Sequence, residues 1–81
     1  MLLEHDQRKY EILTESSMYG MAVELWDRTG EPIEEVLIAF QFDTDGRIEF
    51  SCYRENIPFR LVDIFVQEVR WRLIIKRPEE L

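Results

Sequence analysis

Carboxylates are the most numerous groups in this chain that could do chemistry, seventeen against ten basic residues and a single histidine. Two of them, Glu24 and Glu35, stand out by position. They fall on one face of two segments that read as neighbouring antiparallel strands, where they would oppose each other. Two carboxyls that close can share a proton, because a second negative charge is disfavoured beside the first. That is acid/base chemistry in principle, but an open sheet face does not exclude water and perturbs a carboxyl only modestly. Asp43-Thr44-Asp45-Gly46 has the look of a calcium loop. An EF-hand with its glycine at Gly46 would begin at Gln41 and end at Cys52, and neither can be the ligand required there. The same four residues fit a hairpin turn completely.

Cys52 and His5 are the only residues of their kinds. One cysteine forms no internal disulfide, and structural zinc takes about four Cys/His ligands. Cys52 falls in phase with inner-face residues and reads as a small apolar core group. A nucleophilic triad would have to use His5, close to the chain start. The expectation is therefore no catalytic residue, no metal and no cofactor. Met1-Leu2-Leu3 runs directly into Glu4, His5 and Asp6, unlike a secretory leader, and a cytoplasmic setting is expected.

Charge is unevenly placed. Residues 1–57 hold thirteen acids and five bases, a balance of −8, while 58–81 hold four acids and five bases, a balance of +1. Phosphate backbones and anionic membrane surfaces are bound by Lys and Arg, so both are disfavoured as partners. A basic protein partner suits this charge.

The elements that must position these residues follow from apolar spacing. Alternation predicts four strands, over Lys9 to Glu15, Met18 to Asp27, Ile33 to Phe42 and Arg47 to Arg54. Helical spacing predicts one helix from Pro58 to Ile75, capped by Asn56 and stopped by Pro78. The expected architecture is α+β, a four-stranded antiparallel β-meander with the C-terminal helix packed on one face, β-β-β-β-α. It fills one domain over 1–81, with flexible ends at 1–7 and 76–81. A three-residue Thr44-Asp45-Gly46 loop with Gly46 at positive φ would pair Phe42 with Ile48, Phe40 with Phe50 and Ile38 with Cys52. Val23 would meet Val36 and Met21 would meet Ile38. A two-residue Ser16-Ser17 turn would set Ile12 against Met21 and Tyr10 against Val23.

Two surfaces then invite a partner. The outer sheet face would carry Glu24, Trp26, Glu35, Leu37, Glu49 and Tyr53, aromatic anchors among acids. On the helix, at 100° per residue, Leu61, Val62, Phe65, Val69 and Leu73 form the core stripe. Ile64, Trp71 and Ile75 form a second apolar line, with Glu68 and Arg72 between. That line either covers the sheet edge within the monomer or forms a homodimer face, with Glu68 and Arg72 fixing register. The reading that results is a non-enzymatic, acidic protein-interaction module, a homodimer that binds or neutralises a basic protein partner. In size and charge it is similar to small immunity, antitoxin or adaptor proteins. The alternative is a small-molecule-binding domain with a pocket between helix and sheet around Tyr10, Tyr19 and Trp71.

Overall fold

The computed structural model describes residues 1–75, the last by its backbone alone. The expected flexible segment 76–81 lies outside the described residues. Five antiparallel strands run in sequence order across one sheet: β1 (Leu2–His5), β2 (Arg8–Ser17), β3 (Gly20–Asp27), β4 (Glu34–Phe42) and β5 (Ile48–Cys52). Helix α1 (Phe59–Val69) follows and runs into a π-helical turn, Arg70–Ile75. The α+β meander with its C-terminal helix is as expected, with one strand more.

The extra strand is β1, in the segment expected to be a flexible N-terminus. Its hairpin turn, Asp6-Gln7, holds both residues at positive φ, 54° and 65°. Turns of this kind favour Asn-Gly or Asp-Gly, so a turn without glycine hides the strand. Met1 ties the strand further, its backbone carbonyl accepting from the Ile12 N–H at 2.8 Å.

The β2–β3 loop is Met18-Tyr19, closed by the Ser17–Gly20 pair. Ile12 therefore meets Leu25 and Tyr10 meets Asp27, four places from the expected register. An even shift preserves faces, so Tyr10 and Ile12 still point inward. Gly20 is required at its position, because a Cβ there would lie 2.0 Å from the Gln41 carbonyl oxygen.

The register of β4 differs by an odd number, and that flips its faces. Val23 pairs with Ala39 and Leu25 with Leu37, whereas Trp26 pairs with Glu35, so Val36 is the extra residue of a β-bulge. The β4–β5 connection is a four-residue loop, Asp43 to Gly46, closed by the Phe42 N–H on the Arg47 carbonyl at 3.0 Å. Gly46 does take positive φ, 75°. One added loop residue sets Phe40 opposite Glu49 and Ala39 opposite Phe50. The expected pairing of Phe40 with Phe50 is thus corrected: Leu37, Ala39 and Gln41 point inward, and Ile38, Phe40 and Phe42 point outward. Strand β4 is apolar on both faces, so alternation alone did not decide between them.

Pro58, not Asn56, occupies the N-cap, with extended backbone and no side-chain cap. Asn56 takes a left-handed conformation two residues earlier, φ 56°. Leu61, Phe65, Val69 and Leu73 are fully buried against Ile12, Val23, Leu25, Val36 and Ala39. A four-residue spacing drifts around a regular α-helix. The wider π turn carries Leu73 back over the sheet. It also breaks the 100° spacing on which the line Ile64, Trp71, Ile75 depends.

Candidate functional site

Because one helix covers only one face of the sheet, the other face remains open. By alternation it carries Glu11, Leu13 and Glu15 of β2, and Ala22, Glu24 and Trp26 of β3. Strand β4 adds Glu35, Ile38, Phe40 and Phe42, and β5 adds Glu49 and Ser51. Leu13, Trp26, Ile38, Phe40 and Phe42 are all half-buried there. Phe40 and Phe42 meet edge to face at 4.9 Å. The Arg47 guanidinium stacks over Phe42 at 4.2 Å, a cation held on an aromatic ring.

At the centre lies the carboxyl pair. Glu24 is opposite Ile38 rather than Glu35, yet the two carboxyls still meet on the diagonal, since Glu35 faces Trp26, two residues from Glu24 on the same face. Only 8% of Glu24 is exposed, and its Oε1 accepts from the Trp26 indole N–H at 3.0 Å. Burial pushes Glu35 up to about 7, and hydrogen bonding to Glu24 and the negative charges of Glu24 and Glu15 add to the rise. Glu35 Oε2 is buried and meets no donor. A proton on Glu35 resolves this, since a neutral carboxyl donates to its neighbour where a carboxylate could only repel it. Around the pair, Arg28 holds Glu11 at 2.8 Å and Arg47 holds Glu49 at 3.0 Å.

The structure thus brings Glu24, Trp26 and Glu35 together. Glu49 is exposed on the same face, two strands from β3, and exposed Tyr53 follows β5. Leu37 does not belong there. The bulge turns it into the core, where it is 7% exposed.

The expected dimer face is also rearranged. Glu68 accepts from Arg72 at 3.0 Å within the same chain. Arg72 continues onto β2, donating to Thr14 Oγ1 at 2.8 Å and the Ile12 carbonyl at 3.4 Å. The pair therefore fastens the helix to the β2 edge. Ile64 packs on the core cluster, and Trp71 is half-exposed beside Thr14, Glu68 and Arg72. The Ile75 side chain lies outside the described residues.

Tyr10, Tyr19 and Trp71 share no pocket. Tyr10 is buried and borders a cleft of about 530 Å³ with Leu2, Leu3, Glu4, Lys9 and Arg28. Tyr19 is exposed at the β2–β3 turn, and Trp71 lines a separate recess. Cys52 is exposed, not core, and its thiol donates to the Arg54 carbonyl at 3.0 Å.

Sequence reasoning missed one cluster. Asp27 is only 2% exposed, and its Oδ2 receives Arg8 Nε at 2.8 Å and an Arg54 guanidinium nitrogen at 2.6 Å. The backbone N–H of Thr29 donates to Oδ1 at 2.9 Å, and Arg54 also reaches the Tyr10 hydroxyl at 3.3 Å. Burial works to raise the Asp27 carboxyl, but hydrogen bonds from Thr29, Arg54 and Arg8 outweigh it and hold the group well below the usual range. The cluster clamps β2, β3 and the β5–α1 connector together. Its sequence signal was an aspartate in phase with Val23 and Leu25.

Among the described residues no three His, Cys, Asp or Glu side chains converge as a metal site, and no helix is long and apolar enough to cross a membrane. Compared with protein-family models, curated proteins and solved structures, the chain finds no match.

Proposed function

We propose that this chain is a non-enzymatic protein-binding module whose outer sheet face docks a basic protein partner, in the manner of a neutralising or adaptor protein. The carrying observation is the composition of the uncovered face. Five half-buried apolar side chains (Leu13, Trp26, Ile38, Phe40 and Phe42) lie among Glu11, Glu15, Glu24, Glu35 and Glu49. Flat apolar area supplies burial, and surrounding acids select and steer a cationic surface. The carboxyl pair adds to this reading, because a cation seated over it favours the fully ionised state and releases the Glu35 proton.

The test is capture of protein partners from lysate at low and high salt, by wild type and by Glu15→Lys/Glu49→Lys. Both positions are exposed, so the fold tolerates the change. Capture of basic proteins should fall at least tenfold, a loss of about 1.4 kcal/mol, with either added salt or the charge reversals. Capture indifferent to both refutes the reading.

A further inference from the structure

We propose that two copies of this chain pair edge to edge through β5, antiparallel and centred on Phe50, to form one continuous sheet with both helices on the same side. The inference goes beyond the outer-face reading and uses a different surface.

The two edges of the sheet are unlike. At the β1 side the outermost strand is only four residues long, and beyond it the Ile12 carbonyl of β2 is taken up by the Met1 ammonium and the Arg72 guanidinium. At the other side, no described strand pairs with the far edge of β5. Phe42 donates to the Arg47 carbonyl and Tyr53 donates to the Val36 carbonyl. The odd-numbered residues of β5 thus turn their peptide groups toward β4. The alternation of an antiparallel ladder then directs the N–H and C=O of Ile48, Phe50 and Cys52 outward. Edge strands that avoid pairing are very short or carry charges, above all Lys or an inward-pointing charge, Pro or a bulge. Strand β5, Ile-Glu-Phe-Ser-Cys, has no Lys, Pro or bulge, and its one charge, Glu49, lies on the outer face opposite Phe40 and not on the helix side.

The symmetry selects the occupant and its register. A two-fold axis normal to the sheet sets even residues opposite even residues. Centring on Phe50 pairs Ile48 with Cys52 of the second copy and Phe50 with itself. All three outward-facing residues are then matched, giving about six backbone hydrogen bonds. Glu49 meets Ser51. Centring on Glu49 would instead set two glutamates face to face, and centring on either neighbouring residue matches fewer outward groups.

Side chains continue the seam. The helix leaves the inner face of β5 partly uncovered, so Phe50 is 53% exposed although its ring touches Phe65 edge-on. Phe50, Ile48, Val66, Val69, Arg70 and Ile74 line an apolar groove of about 250 Å³. In the dimer the two grooves meet at the axis, with one Phe50 beside the other. A standard interface takes roughly 800 Å² from each copy. That is about a seventh of the 5751 Å² surface, and the strand edge, Phe50 and the Val66–Ile74 helix line together lie along this seam.

Sedimentation equilibrium of the wild-type chain tests the assembly, and a dimer at micromolar concentration is expected. Phe50→Lys sets two like charges at the axis and should weaken the dimer at least tenfold. A Phe50→Cys/Cys52→Ser chain fixes the register. Opposed Cα atoms about 5.5 Å apart lie within the roughly 4.4–6.8 Å span of a disulfide, so mild oxidation should link most chains in pairs. The native Cys52 pair would be offset by about 14 Å, so wild type should link at least tenfold more slowly. A wild-type chain that stays monomeric at high micromolar concentration overturns the proposal. So does linkage through Cys52 as fast as through position 50.

Discussion

Raising the pH from 5 to 8 should weaken this fold, through the proton on Glu35. The carboxyl rises from 4.5 to about 7 on folding, chiefly through burial and then through Glu24 and Glu15. Between those values the folded chain holds a proton that the unfolded chain has released. Stability therefore falls with pH across that window, and the loss is complete above about 7. At about 1.4 kcal/mol per pH unit, the ceiling is about 3 kcal/mol. The proton is shared with Glu24, and ionised side chains can relax toward water on an open face, so roughly 1–2 kcal/mol is the expected loss. Glu35→Gln keeps a neutral donor to Glu24 and removes the second charge. Urea unfolding followed by far-ultraviolet circular dichroism at pH 5, 6, 7 and 8 reads both chains. The variant should match wild type at pH 5, exceed it by about 1–2 kcal/mol at pH 8, and lose most of the slope between. A wild-type stability that is flat or rising from pH 5 to 8 refutes the shared proton. A variant that keeps the full fall refutes its assignment to Glu35.

Two further outcomes separate the core from the open face. Asp27→Asn leaves Arg8 and Arg54 without their common anion and should cost about 3 kcal/mol in urea unfolding. Because Asp27 is held below its ordinary 3.8, its contribution is present at neutral pH and is lost only as pH falls below about 4, outside the Glu35 window. Phe65→Ala, beneath the helix, should cost about 3–5 kcal/mol. Phe40→Ala, on the open face, should cost only about 1–2 kcal/mol. Equal costs would contradict the faces assigned to β4.

Legibility followed how strongly each strand's two faces differ. The inner faces of β2, β3 and β5 could be read because Glu11, Glu24 and Glu49 separate Tyr10 from Ile12, Val23 from Leu25 and Ile48 from Phe50. The helix core, Leu61, Phe65, Val69 and Leu73, was legible for the same reason. Strand β4 was not, because Val36, Leu37, Ile38, Ala39, Phe40 and Phe42 supply apolar groups to both sides. Its phase was set instead by a bulge at Val36 and a four-residue turn, neither of which leaves a periodic trace. Strand β1 was hidden by a turn without glycine, and the helix flank by a π turn that changes the angular step.

The carboxyl pair was reached through a register that does not hold. Glu24 and Glu35 are not directly opposed, yet they meet across the diagonal, because Glu35 pairs with Trp26, two residues from Glu24 on the same face. Same-face residues on neighbouring strands stay within reach of long side chains under small even shifts of register. Glutamates are therefore more forgiving of such errors than short core residues such as Ala39. Leu37 shows the opposite case, since the bulge carried it through the sheet and out of the candidate face altogether. The open face is consequently more apolar than the sequence suggested, with Ile38, Phe40 and Phe42 in place of Leu37. That combination of apolar area and acids on one open face is what supports the proposed docking of a cationic, partly apolar surface.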